Sequence, residues 1–324
     1  MPRTPLTQIS SRSWEHPADR AALNTLRSIP GFDEVVRKVA SFFGERGVRQ
    51  LFLANAVKVS DQQRPALNAL WTEVLETLDW PTRPQLYVTQ TPVVNAYAVG
   101  FEDPFVIVSS SMLELLNEDE QRFILAHELG HIMSGHTTYR TIAIIIMTVG
   151  ITNLPFLAGL ALLPFQLALL EWYRKSEFSC DRAGLLGVQD LQVAMGGFMK
   201  LAGGKATSDT EESLDEFMRQ AEEYETGGTA WDTVFRVLNT ALRDHPFHTV
   251  RASELLKWHK SGAYDAIVGG TYQRRDDEDR PLREDFAEAA GYYGDQTKST
   301  FQQVGDVFER AKTAFDEAWR GKPK

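Results

Sequence analysis

The chain carries a single cysteine, Cys180, in 324 residues. That excludes an internal disulfide framework and fits a reducing compartment. Basic residues are in deficit, with 34 Lys and Arg against 44 Asp and Glu and a net charge of -10. This argues against nucleic acid as a partner. The first residues, Met1-Pro2-Arg3-Thr4-Pro5-Leu6-Thr7-Gln8, contain no apolar run, so we expect no secretory signal there and a cytoplasmic location. No internal repeat is present. Charge is missing altogether from Thr141 to Leu170, a run of 30 residues broken by Pro155 and Pro164. At 43% hydrophobic residues, the chain can build one large core with extensions.

Three regions are expected. Residues 1–79 read as an N-terminal helical scaffold with no assigned chemistry. Its helices are expected from Ala18 to Leu26, from Phe32 to Val48 and from Pro65 to Leu78. In the second, Val35, Val36, Val39, Phe42 and Phe43 share one face. Residues 80–270 form the core. It opens with three short β-forming stretches, Gln85–Thr89, Val94–Gly100 and Phe105–Val108. Asn117 is placed to cap the helix that follows, with Glu118, Asp119 and Glu120 in its first turn. Further helices are expected over Glu171–Val188, Val193–Leu201 and Trp231–Arg243, and from His245-Pro246 to Lys260. Residues 205–225 hold eight acids against two bases and read as a solvated face. Residues 271–324 comprise a charged linker and a C-terminal amphipathic helix. In that helix Phe301, Val304, Phe308, Ala311, Phe315 and Ala318 form a narrow apolar seam. Docking on its own domain is the first reading of the seam, and self-association the second. The fold class expected is mainly α with a small three-stranded sheet, α+β.

The chemistry centres on His127-Glu128-Leu129-Gly130-His131. On a helix, His127 and His131 lie one turn apart on one face and can hold two corners of a zinc tetrahedron. Glu128 can take a proton from a water held there. Ile124, Leu125, Leu129, Ile132 and Met133 surround the motif with apolar side chains. A buried helix rarely keeps His, Glu and His without partners. A third protein ligand is needed. A metzincin would supply His at 137 after Gly at 134, but Ser134 and Thr137 stand there. Glu177 and Asp181, one turn apart, could serve as a ligand and as a hydrogen-bond partner for a ligand histidine. On spacing alone, a solvated acidic helix face accounts for that pair better.

The motifs together resemble the HtpX-like zinc metalloendopeptidases, a gluzincin-type family that also holds the CaaX prenyl endopeptidases. H-E-L-G-H is followed by E-F-S-C-D-R-A-G at 177–184. Asn95-Ala96-Tyr97-Ala98 resembles the family's strand beside the substrate cleft. His245-Pro246 followed by Arg251 resembles its H-P-x-x-x-x-R element. His16-Pro17-Ala18-Asp19-Arg20 resembles soluble bacterial members. The resemblance implies His127, His131 and Glu177 as ligands of one zinc ion and Glu128 as the base. It implies His245 as a stabiliser of the oxyanion and Arg251 as the partner of Asp181 or of the site. Asn95, Ala96 and Tyr97 would bind a polypeptide substrate as an added strand. Cys180 departs from the small residue usual at its place and reads as a buried filler.

A shared zinc would also constrain the uncharged run. The chain between His131 and Glu177 must return to the side it left, which rules out a single membrane span. Two spans need ~40 residues, and the run covers only ~45 Å as helix. We therefore expect a helical hairpin over 141–170, turning near Thr152–Pro155. It would associate with a membrane or a hydrophobic substrate, giving a peripheral or monotopic protein at the cytoplasmic membrane. The expected activity is hydrolysis of peptide bonds in unfolded or membrane-associated proteins. A zinc-stabilised, chaperone-like binding protein with little proteolysis is the alternative.

Overall fold

Phe105, Val106, Ile107 and Val108 are buried on both faces, so their strand belongs at the centre of a sheet. The computed structural model describes residues 3–29, 31–145, 156–204, 213–226 and 247–277. Within them β1 (Ala56–Lys58), β2 (Gln85–Thr89), β3 (Ala96–Val99) and β4 (Phe105–Ser109) form one mixed sheet in the order β1-β2-β4-β3. β2 pairs parallel to β4, with Gln85 opposite Phe105, while β1 and β3 pair antiparallel to their neighbours. The sheet thus has four strands rather than the three expected. β1 is three residues long and sits inside a helical stretch, too short to leave a period in the sequence. The α+β class is as expected.

The helices are α1 (Pro17–Ser28), α2 (Phe32–Leu53), α3 (Pro65–Thr77), α4 (Ser110–Leu115), α5 (Glu118–Met133) and α6 (Thr137–Ile145). They continue with α7 (Phe156–Val188), α8 (Leu191–Gly203), α9 (Leu214–Thr226), α10 (His248–Lys260) and α11 (Ala263–Val268). α5 begins with a complete capping box: Asn117 accepts from the Glu120 amide and Glu120 accepts from the Asn117 amide. Every residue from Arg122 to Ile132 is buried. α5 packs along α7, and glycines set the closeness of that contact. A Cβ on Gly130 would come within 2.6 Å of the Ala183 Cβ, and one on Gly187 within 2.2 Å of the Ala126 Cβ. This approach brings Glu177 up against the two histidines of α5.

Two expectations need correction. The uncharged run does not break at Pro164, because α7 continues unbroken from Phe156 through Glu177 and Asp181 to Val188. α2 extends to Leu53 and bends at Gly44 (φ 58°), and Phe42, expected on its apolar face, is 83% exposed. Residues 3–16, although irregular, are core: Leu6, Ile9 and Trp14 are buried in one cluster with Phe123 and Leu125. Ser10 and Arg275 donate backbone hydrogen bonds to Gln273 and Gln8, which ties residues 273–275 to this strap. The expected turn at Thr152–Pro155, the helix at Trp231–Arg243, His245-Pro246 and the C-terminal helix lie outside the described residues. Among the described residues no helix is long and apolar enough to cross a membrane.

Candidate metal centre

α5 and α7 bring three side chains to one point. His127 Nε2 lies 3.2 Å from His131 Nε2. Glu177 Oε2 is 3.5 Å from His127 Nε2, and Glu177 Oε1 is 3.3 Å from His131 Nε2. All three residues are buried. Zinc bonds of ~2.0–2.2 Å arranged as a tetrahedron set ligand atoms ~3.3–3.6 Å apart, so these spacings fit one zinc ion.

The hydrogen bonds on the far side of each ring agree with that fit. His127 Nδ1 is 3.0 Å from Asp181 Oδ1. A carboxylate there requires Nδ1 to carry the proton, which leaves the Nε2 lone pair facing inward. Asp181 is itself gripped by Arg251, whose Nε and Nη2 donate to its two oxygens at 2.9 and 2.5 Å. Burial opposes ionisation of Asp181, but the Arg251 guanidinium outweighs it and holds the carboxyl below its ordinary range. Arg251 also approaches Glu177 Oε2 at 3.3 Å.

With no cation present, the two facing imidazoles would repel unless one bound a proton. Burial presses His127 down, yet its bonds to Asp181 and Glu177 and their charges prevail, and it is pushed up to about 9. Burial and the Arg140 guanidinium drive His131 well below its ordinary value. A metal cation held there would take the place of a proton on His127.

Glu128 is buried beside this point, with Oε1 3.9 Å from His127 Nε2. Its Oε2 makes no hydrogen bond among the described residues. Arg140, fully buried on α6, lies 3.8 Å from both Glu128 Oε2 and Glu177 Oε1 and donates to the Tyr173 hydroxyl at 2.8 Å. Sequence reading missed Arg140 and Tyr173. The signal available was an arginine one helical turn beyond His136. His245 lies outside the described residues, and His248 opens α10 with its ring 6.4 Å from Phe198.

The expected substrate strand is at an edge of the sheet. β3 pairs only with β4 among the described residues and packs against α5. The Asn95 carbonyl accepts from the Ser109 amide, so antiparallel alternation turns the backbone of Ala96 and Ala98 toward the open side. The Ala96 amide is taken by Asn95 Oδ1 at 2.8 Å, and Asn95 Nδ2 donates to the Tyr97 hydroxyl at 2.6 Å.

Cys180 is fully buried and its thiol is raised well above the ordinary value, chiefly by burial and then by Glu177. It therefore stays neutral.

A buried H-E-x-x-H helix, with a carboxylate brought to it from a second helix, defines a gluzincin-type metallopeptidase. The chain belongs to peptidase family M48, whose profile matches residues 61–259. It is a metalloendopeptidase of the HtpX-like kind, and the family is zinc-dependent. It is 33% identical to the plastoglobule-localized metallopeptidase 48 of Arabidopsis thaliana over 265 residues, 80% of this chain and 76% of that one. A protease HtpX homolog of Moorella thermoacetica is 31% identical over 120 residues, 36% of this chain and 39% of the relative. One from Pyrococcus furiosus is 33% identical over 94 residues, 28% of this chain and 32% of the relative. The similarity to these homologs thus covers well under half of their length. No solved structure matches the chain.

Proposed function

We propose that His127, His131 and Glu177 hold one zinc ion and that the protein hydrolyses peptide bonds in unfolded or membrane-associated polypeptides. The observation that carries this reading is the convergence of His127 Nε2 and His131 Nε2, 3.2 Å apart, with the two Glu177 oxygens 3.5 and 3.3 Å from them. When bound, zinc supplies the Lewis acidity that brings a water's pKa to ~7 and polarises a carbonyl.

The remaining steps belong to the chain's own groups. Glu128, with Oε2 free of hydrogen bonds among the described residues, accepts a proton as water attacks the scissile carbonyl. It then passes that proton to the departing amine. Arg140 lies 3.8 Å from both Glu128 and Glu177 and stands between the two carboxylates. By resemblance, His245 donates to the oxygen that gains charge. The substrate runs along β3, pairing with the Ala98 backbone and the Ala96 carbonyl, while Asn95 and Tyr97 brace the edge. Main-chain pairing reads no side chains and needs an extended strand, which favours unfolded segments. The uncharged run at 141–170 brings the enzyme to a membrane surface or an apolar substrate, at the cytoplasmic membrane.

The test compares wild type with Glu128→Gln on unfolded casein at measured zinc content. We expect equal zinc in both and a ~10²–10⁴-fold slower cleavage by the variant. Equal cleavage by both proteins would contradict the mechanism. Zinc bound without cleavage by the wild type would favour a zinc-stabilised binding protein.

A further inference from the structure

His131 has a second ring nitrogen, and the chain supplies it with a partner outside the H-E-x-x-H motif. His131 Nδ1 lies 3.2 Å from His136 Nδ1, in a buried contact. The chain turns between the two through Gly135 (φ 67°), and the His136 amide donates to the His131 carbonyl at 2.9 Å. That turn folds the His136 ring back against the end of α5. Its other nitrogen, Nε2, is 3.1 Å from Asp19 Oδ2. Asp19 comes from α1, in the region to which the sequence reading gave no chemistry, and is 1% exposed. The Trp172 indole donates to Asp19 Oδ1 at 2.9 Å and the Ser179 hydroxyl to Oδ2 at 2.6 Å. Both donors come from α7, the helix that carries Glu177.

Donor and acceptor rules leave one assignment for neutral rings. A carboxylate only accepts, so His136 Nε2 carries hydrogen and His136 Nδ1 has the lone pair. Two nitrogens 3.2 Å apart then require His131 Nδ1 to donate. His131 Nε2 is left bare, and it is this atom that faces His127 and Glu177. The result parallels the other ligand, where Asp181 and Arg251 fix His127. Here the reach is longer: an imidazole stands between the ligand and the carboxylate.

We propose that His136 and Asp19 are positioning residues that fix the tautomer and ring orientation of His131, so that the N-terminal helix takes part in metal binding. This rests on the zinc reading above. His136 also has Cys180 Sγ 3.7 Å from its Nδ1. His131, His136 and Cys180 could instead gather a second ion. The hydrogen-bonded arrangement is favoured because the first ion uses His131 Nε2, and a second on Nδ1 would require the ring to lose both protons.

The experiment measures zinc affinity by competition with a chromophoric chelator, zinc content per chain, and the visible spectrum of the cobalt(II) form. It uses the full chain as wild type, Glu177→Gln, His136→Leu, His136→Asn, Asp19→Asn and Cys180→Ala. One zinc per wild-type chain, lost in Glu177→Gln, secures the underlying reading independently of the relay. We expect His136→Leu to weaken zinc by ~10–100-fold and to alter the cobalt bands. His136→Asn, whose amide oxygen can accept from His131 Nδ1, should recover most of the affinity. A purely structural role would leave Leu and Asn alike. Asp19→Asn keeps shape and an acceptor, so it reports on the relay if His136→Leu fails to fold. It should weaken zinc measurably, with the protein still folded. Unchanged affinity in folded His136→Leu and Asp19→Asn would overturn the proposal. So would two zinc ions per chain that fall to one in Cys180→Ala.

Discussion

His16 shows how far individual polar residues are committed in this interior. It is the N-cap of α1, with Nδ1 accepting from the Ala18 amide at 3.1 Å and Nε2 3.5 Å from Glu254. Burial is the main reason its pKa falls to about 4; Arg182 and Lys175 push the same way, and Glu254 opposes them. The native ring is therefore neutral, while the unfolded ring titrates near 6.5. Its contribution to stability is complete above pH 6.5 and is lost as pH falls toward 4, an upper bound of about 3 kcal/mol. Asn at this position would keep the cap acceptor without the titration. We expect urea unfolding, with chelator present at every pH, to show wild type losing more stability than His16→Asn between pH 6.5 and 4. Parallel losses would contradict the assignment. Residues such as His127, Glu128 and His131 were legible because their chemistry lies in one short spacing. Asp19 and Arg140 were not, since each meets its partners only through helix packing, and His16 meets Glu254 in the same way. Asp19 meets His136 across more than a hundred residues, and no periodicity records such a contact.

At the level of helices and strands, the α5–α7 contact controls the centre. Gly130, Gly184 and Gly187 let the two backbones approach, with Gly184 against Phe123. A methyl at Gly187 would stand 2.2 Å from the Ala126 Cβ, next to His127, and both helices would have to separate. We expect Gly187→Ala to cost about 1–3 kcal/mol in denaturant unfolding and to weaken metal binding as Glu177 withdraws. Unchanged unfolding midpoint and zinc affinity would show that the contact is looser than described. Strands β2 and β4 were readable from their β-forming residues, and α5 from its capping residues. β1 was too short to read. The continuity of α7 through Pro164 was hidden because proline usually ends a helix.

For the molecule as a whole, one arrangement joins chemistry to topology. The chain leaves the centre after His131 along α6 and returns along α7 to Glu177, with the uncharged run between. The order of the motifs is the reason we expect the run to turn back, at a turn that lies outside the described residues. We expect the full chain to float in part with phosphatidylcholine vesicles, and Ile151→Asp with Leu154→Asp to reduce that fraction. Complete recovery of the wild type in the unbound fraction would contradict a membrane role for residues 141–170. The central claim is a single zinc ion held jointly by α5 and α7. Anomalous diffraction at the zinc absorption edge, on crystals grown with one equivalent of zinc, tests it most directly. The account requires one peak, ~2.0–2.2 Å from His127 Nε2, His131 Nε2 and a Glu177 oxygen. A peak among His131 Nδ1, His136 and Cys180, or no peak beside Glu177, would contradict it.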